Sequence, residues 1–356
     1  MEIRLEKLDS SQLKTKPDEN NLGFGRYFAD HMFVMTFDRD RGWHDAVIRK
    51  YQDFSLPPAA MVLHYGQAIF EGLKAYRGKD NAIYLFRPTD NLRRMNVSAE
   101  RMCMPAIPVD EVLAALQTLL RLDADWIPSA KGATLYIRPT MIATEAALGV
   151  RPAKQYLFFV ILSPVGAYYP EGFNPVKIFV TDKYVRAVPG GVGHVKTAGN
   201  YAASIMAAVE AQKQGFTQVL WLDAIERRYI EEVGTMNIFF YLDDELVTPA
   251  LSGSILPGIT RRSILELAKH WGIQAVERAI SIDEVVAKAK TGALKEMFGS
   301  GTAAIVSPVS EFAYGGQTYR LPAPQPGPLA VRFFETLLGI QYGEAEDTLG
   351  WTSRVI

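Results

Sequence analysis

Cysteine is almost missing from this 356-residue chain: Cys103 is the only one, so no internal disulfide can form. A reducing compartment suits such a sequence. Neither sign of charge is in excess, with 38 Lys and Arg against 39 Asp and Glu. That balance leaves no electrostatic footprint for nucleic acid and no polybasic membrane anchor. The longest apolar runs are strand-sized, too short to cross a bilayer. The first residues, "MEIRLEKLDSSQLKTK", are charged where a signal peptide needs an apolar stretch. The histidines, His31, His44, His64, His194 and His270, include no i,i+4 pair and no H-E-x-x-H, so no metal site is expected. A G-x-S-x-G elbow is missing, which leaves a hydrolase triad without an anchor. The glycines of "GGVGHV" miss the G-x-G-x-x-G spacing, and no Gly-Lys-Ser/Thr completes a P-loop. A nicotinamide dehydrogenase fails on the same ground.

What remains is globular: 48% of residues are hydrophobic and 22% charged. The length suits two domains. "DHMFVMTF", "NAIYLFRP", "ATLYIRPTMI" and "QYLFFVILSP" read as strands from their β-branched and aromatic content. "TDNLRRMNVSAERM" and "VDEVLAALQTLLRLDADW" read as helices from apolar residues at helical spacing. Proline, glycine and aromatics then cluster in "SPVGAYYPEGFNP", as at a domain junction. Beyond it come the strands "VKIFVTD", "TQVLWLD" and "NIFFYL", and helices over "YAASIMAAVEAQKQG", "PGITRRSILELAKHWG" and "IDEVVAKAKTG". "LKEMFGSGTAAIVSPVSEFAY" reads as strand, Gly-Ser-Gly turn and strand. The expectation is a mixed α/β (α+β) chain without internal repeat. It has a small N-terminal α/β domain over 1–165, a linker over 166–178 and a larger domain over 179–356.

One lysine stands among glycines, in "GGVGHVKTAGNYAAS". Lys196 is either a solvated turn cation or an amine able to bond an aldehyde, with the glycines permitting close approach of a flat ring. In "YIEEVGTMN", Glu232 could face a pyridine nitrogen and keep it protonated. An extended segment sends neighbouring side chains to opposite faces, so Glu231 is expected in solvent. "SILPGIT" ends at a helix start and "GSGTAA" offers glycines and a hydroxyl, and both could hold a phosphate through backbone N–H groups. Arg94 could add a bidentate grip, with Arg93 beside it as the competitor. Tyr136 and Arg138 lie two apart on a strand, hence on one face, where they could receive a carboxylate or form an exposed sheet surface.

The order of these stretches is more specific than any one of them. With "LHYGQAIFEGLKAYRG", "LYIRPTMIATEAALGV", "FFVILSPVGAYYPEG", "EEVGTMNIFF", "ILPGITRRSILELA" and "EMFGSGTAAIVSPV", the sequence resembles the branched-chain amino acid aminotransferases. It looks most like the branch containing the mammalian enzymes. The resemblance implies a two-domain fold-type IV structure, like that of the D-amino-acid aminotransferases, with the site between the domains. It implies pyridoxal 5'-phosphate as cofactor and at least a homodimer. The reaction implied is reversible amino transfer from L-leucine, L-isoleucine or L-valine to 2-oxoglutarate. Carried over by motif, Lys196 would bond the cofactor aldehyde and do the proton transfer. Glu232 would face the ring nitrogen and Tyr201 the phenolic oxygen. Arg94, Ile259, Thr260 and Thr302 would hold the phosphate, while Thr235 and Leu256 would support the ring. Thr302 and Ala303 would offer N–H groups to the substrate carboxylate. Phe24, Tyr65, Phe70, Tyr136, Val150 and Tyr168 would line the side-chain pocket, some of them, Tyr65 and Val150 included, in the partner subunit's site. Arg138 would take the second carboxylate of glutamate.

The mammalian relatives carry a redox-active C-x-x-C after the Gly-Ser-Gly-Thr stretch. Here those positions are Ala304 and Ser307, so no such switch is expected, and the reading is of a bacterial-type cytoplasmic enzyme. The alternatives are a D-amino-acid aminotransferase or aminodeoxychorismate lyase of the same fold, or a non-enzymatic ligand-binding or scaffold protein built on it.

Overall fold

The computed structural model describes residues 2–166, 173–322 and 324–356. Two compact units divide the chain. One is Met1–Tyr168 with Lys196–Ala198 and Gly339–Ile356; the other is Tyr169–Val195 with Gly199–Leu338.

The first unit is a nine-stranded sheet. Its path runs Arg4–Leu5, Gly42–Lys50, His31–Asp38, Gln155–Val165, Thr134–Ala143, Leu73–Arg77, Ile83–Phe86 and Thr352–Arg354, and Ala68–Phe70 pairs separately with Thr134–Ala143. Helices Pro88–Arg101 and Val109–Leu122 bury their apolar stripes in one core with the sheet, Leu92, Met95, Leu116 and Leu119 meeting Leu73, Leu85, Ile137 and Phe158. Strand period 2 does the sorting. Along Thr134–Ala143, residues Leu135, Ile137 and Met141 enter that core, while Tyr136 and Arg138 stand half-buried on the other face.

The second unit has its own nine-stranded sheet, ordered Ile230–Val233, Gln218–Leu222, Val176–Thr181, Ile305–Tyr314, Leu294–Gly301, Asn237–Leu242, Glu245–Thr248 and Ala275–Glu277, with Gln317–Arg320 on Ile305–Tyr314. Phe239, Phe298 and Phe333 are fully buried in it. Helix Ile282–Thr291 shows how locally its ends are encoded. The Ser281 hydroxyl accepts from the Glu284 N–H at 3.1 Å, and Gly292 closes the other end at φ 73°.

Two expectations are corrected. "YAASIMAAVEAQKQG" is not one helix: Ala198–Ala202 and Ile205–Lys213 are separate, and the Ser204 hydroxyl donates to the Tyr201 carbonyl at 2.7 Å between them. That side-chain bond competes with helix continuation. Nor is Gly-Ser-Gly a turn, because Gly299, Ser300 and Gly301 all lie in the strand Leu294–Gly301. A Cβ on Gly299 would sit 2.7 Å from Met236 Cε, so this glycine serves packing. The turn is Thr302–Ala304, closed by Ile305 at φ 64°, a strained value for a β-branched residue.

Candidate active site

In the first unit, Lys196 is held by its backbone. Its N–H donates to Ser98 Oγ at 3.0 Å, and its carbonyl accepts from the Phe70 N–H at 3.0 Å. The next residue, Thr197, donates its hydroxyl to the Ala68 carbonyl at 2.8 Å. Nζ lies 5.1 Å from the centre of the Phe70 ring. These ties fix the Lys196 backbone, and the residue is half-buried.

Arg94 is separated from its competitor by one step of the helix. Arg93 is exposed, whereas the Arg94 side chain is 10% exposed and forks onto Glu71, with Nε 2.8 Å from Oε1 and Nη2 2.9 Å from Oε2. Tyr136 and Arg138 do share a face: Arg138 Nη2 lies 3.3 Å from the Tyr136 hydroxyl, and the guanidinium covers the Phe70 ring at 4.6 Å. Arg138 Nε is buried without a hydrogen-bond partner among the described residues. Phe24 meets the Tyr136 ring edge-on at 5.1 Å. Gly72 makes room for that phenol, since a Cβ there would fall 2.0 Å from its oxygen. Phe24, Phe70, Tyr136 and Arg138 thus form one cluster. Tyr65 and Val150 are 39% and 89% exposed. Tyr168 lies outside the described residues.

The second unit carries the acidic part. Tyr201, Ser204, Glu232, Thr235, Leu256 and Arg186 line one pocket. Glu232 is buried, and its Oε2 meets Arg186 Nη2 at 2.6 Å. Its Oε1 accepts from Asn237 Nδ2 at 3.1 Å and from the Leu256 N–H at 3.2 Å. A carboxylate gripped on both oxygens keeps one orientation toward the pocket. Arg186 also donates to the Ser254 and Gly193 carbonyls at 2.6 and 3.2 Å, tying the glycine-rich loop to the segment that carries Leu256. The approach demands glycine: a Cβ on Gly193 would lie 2.2 Å from the Ser254 carbonyl oxygen. Asn200 Nδ2 braces the same loop, donating to the Val192 and Val195 carbonyls at 2.8 and 2.9 Å.

Glu231 is not in solvent. Both faces of Ile230–Val233 are covered, and Glu231 is 5% exposed, its Oε1 accepting from the Ser254 hydroxyl. Burial raises its pKa above the ordinary glutamate value.

The residues fit a phosphorylated ring at one further point. Helix Ile259–His270 starts at Gly258, which has no side chain to cap it, so the first-turn N–H groups of Ile259 and Thr260 lack a side-chain acceptor at the N-cap. Thr302 and Ala303 sit in the three-residue turn described above. Among the described residues, no group of His, Cys, Asp and Glu could hold a metal, and no helix is long and apolar enough to cross a membrane.

Sequence reading missed Glu71, Arg186 and Asn200. Glu71 stands in the quoted "QAIFEGLKAYRG", but its partner comes 23 residues later, and no local pattern announces such a pair.

The family model described as amino-transferase class IV matches residues 68–312. Branched-chain-amino-acid aminotransferase 2 of Bacillus subtilis is 54% identical over 346 residues, covering 97% of this chain and 95% of that protein. Among solved structures, the Escherichia coli branched-chain amino acid aminotransferase superposes with a TM-score of 0.74 at 28% identity, covering 92% of this chain and 99% of that one. The branched-chain aminotransferase of the thermophilic archaeon Thermoproteus uzoniensis, solved with norvaline, gives a TM-score of 0.75 at 27% identity, covering 92% and 100%. A family match over more than half the chain and a half-identical relative over nearly all of it agree with the cradle around Lys196: the chain belongs to the class IV, pyridoxal-phosphate-dependent aminotransferases, in the branched-chain amino acid aminotransferase family.

Proposed function

We propose that this chain transfers the amino group of L-leucine, L-isoleucine or L-valine to 2-oxoglutarate, with Lys196 as the catalytic amine. The observation that carries the reading is Lys196 itself, its backbone held at both its own N–H and its carbonyl. Bound pyridoxal 5'-phosphate supplies the aldehyde that takes up the amino group and the ring that accepts electrons from the substrate. Lys196 Nζ takes the proton from the substrate Cα and delivers a proton to C4', the former aldehyde carbon of the cofactor, so that the amino group stays behind when water releases the 2-oxo acid; this is general acid–base catalysis by one residue. Glu232, oriented by Arg186 and Asn237, faces the ring nitrogen. Tyr201 approaches the phenolic oxygen, and Thr235 and Leu256 support the ring. Arg94, Ile259, Thr260 and Thr302 hold the phosphate.

The two substrates make opposite demands. Phe24, Phe70 and Tyr136 give apolar walls, and a methylene of difference is worth only about 1–3 kcal/mol there, so all three branched side chains are accepted. Glutamate brings a second carboxylate whose burial needs donors. Arg138, with a buried Nε awaiting an acceptor, provides them. The N–H groups of Thr302 and Ala303 receive the α-carboxylate. Tyr65, Val150 and Tyr168 complete the pocket, Tyr65 and Val150 in the partner's site of a cytoplasmic homodimer or larger homo-oligomer.

The test is a spectral titration of the protein loaded with pyridoxal phosphate. L-leucine and 2-oxoglutarate should each convert the cofactor spectrum in wild type, while D-alanine should not. Lys196→Ala should slow both conversions by roughly 10²–10⁴-fold. Borohydride reduction and peptide mapping should put the adduct on Lys196; an adduct elsewhere, or a variant as fast as wild type, refutes the assignment.

A further inference from the structure

Glu71 is a charge with no evident place in the transfer, yet it is fully buried between two elements that hold Lys196. It follows the strand Ala68–Phe70 and precedes Leu73–Arg77. Its carboxylate accepts four hydrogen bonds: two from Arg94, at 2.8 and 2.9 Å, one from Asn91 Nδ2 at 2.8 Å, and one from the Gly72 N–H at 3.2 Å. Asn91 and Arg94 are three apart on helix Pro88–Arg101, so one carboxylate reads one helix face. Ser98, one turn beyond, donates to the Arg94 carbonyl at 3.2 Å and accepts from the Lys196 N–H at 3.0 Å. Phe70, directly before Glu71, donates its N–H to the Lys196 carbonyl at 3.0 Å. Glu71, Arg94 and the Lys196 backbone are therefore one hydrogen-bonded unit.

A buried ion pair is a poor source of stability, because desolvating both charges offsets most of their attraction. Burial alone would raise the pKa of Glu71. The Arg94 charge and hydrogen bonds outweigh it, with smaller help from Lys196 and Asn91, and hold the group below the ordinary glutamate value. The pair needs a purpose beyond holding the helix to the sheet. Arginine has five N–H donors in a planar fork, and a carboxylate on one edge fixes the plane in which the rest point.

We propose that Glu71 is a positioning residue for the cofactor phosphate: it clamps the Arg94 guanidinium in the orientation that meets the phosphate oxygens. The inference rests on the reading above, in which Arg94 is a phosphate ligand. Preorganisation of this kind raises affinity without adding a contact to the ligand.

The test compares two ligands that differ only in the phosphate. Protein freed of cofactor is titrated with pyridoxal 5'-phosphate and with pyridoxal, and binding is followed by absorbance. Glu71→Gln keeps the shape but presents an amide N–H₂ to the guanidinium. It should weaken pyridoxal phosphate by about 10–100-fold, the worth of one or two charge-assisted hydrogen bonds, and leave pyridoxal nearly unchanged. In an Arg94→Gln background the same change should add nothing, because the group through which Glu71 acts is gone. That double variant also removes the stranded buried cation, so the comparison survives if Glu71→Gln alone folds poorly. Equal weakening of both ligands, or a full further loss in the Arg94→Gln background, overturns the proposal and leaves the transaminase reading intact. A wild type that binds neither ligand overturns the reading, and the proposal with it.

Discussion

Lys74 shows what a single residue can cost the fold. It sits on Leu73–Arg77 directly across from Tyr136 and is only 7% exposed. Burial lowers its pKa from 10.5 to about 8. The unfolded chain therefore binds the proton more tightly than the folded one, and stability rises with pH between those two values. Below the folded pKa the full penalty is present, at about 1.4 kcal/mol for each tenfold loss of proton affinity. Against Lys74→Met, of similar length and without charge, the wild type is expected to gain about 1–3 kcal/mol in stability as pH rises from near neutral to the ordinary lysine value. Urea denaturation of both proteins near pH 7 and again above pH 10 checks it; an equal difference at both would mean that the ammonium is held by partners stronger than its burial. Single residues of this kind were hard to foresee. Lys196 stood out because glycines surround it, and Tyr136 with Arg138 because strand period 2 puts them on one face. Glu231 did not, because alternation says which way a side chain points and not whether something covers it.

At the level of elements, local chemistry was legible where an element's end is chemically marked. The strand His31–Asp38 and helix Pro88–Arg101 lie within a residue of where their sequences put them, whereas the helix expected over 109–126 stops at Leu122, with Ala124–Trp126 a separate 3-10 turn. The reading failed where glycine serves packing, as at Gly299, and where a side chain took over a backbone bond, as at Ser204. Gly258 belongs to the same class of hidden constraint. It caps Ile259–His270, and a Cβ there would lie 2.0 Å from Asn237 Oδ1. The Asn237 amide in turn donates to Glu232 and to the Leu256 carbonyl, at 3.1 and 2.9 Å. Gly258→Ala should thus strain a hydrogen-bond network and not merely stiffen a loop. The expected cost is about 1–3 kcal/mol in stability, with affinity for pyridoxal phosphate reduced about tenfold as Glu232 loses its brace. Denaturation and an absorbance titration measure the two separately. Unchanged affinity alongside lost stability would show that Glu232 does not depend on Asn237.

Across the whole molecule, the order of strands was the part that sequence could not give, because pairing partners far apart in the chain leave no mark on local periodicity. The last residues are the sharpest instance. Thr352–Arg354 pairs with Ile83–Phe86, and the Val355 N–H donates to the Ile83 carbonyl at 2.7 Å. Trp351 packs edge-on against Phe86 at 5.6 Å, with the Arg87 guanidinium 5.1 Å from its ring centre. Arg87 N–H donates to the Trp351 carbonyl at 2.7 Å, and Arg87 is the residue from which helix Pro88–Arg101 starts, at φ 49°. The chain's end therefore anchors the start of the helix that presents Arg94. Removing residues 347–356 should unpair the outer strand and loosen the first turn of that helix, while strands of the other unit, such as Asn237–Leu242, keep their protection. Amide hydrogen exchange resolves this directly. Faster exchange confined to Ile83–Phe86 and the first turn of Pro88–Arg101, with weaker binding of pyridoxal phosphate but not of pyridoxal, is the expected pattern. Unchanged exchange in those two segments would mean that the C-terminal strand is an ornament on the sheet and that the helix is set by its own core contacts alone.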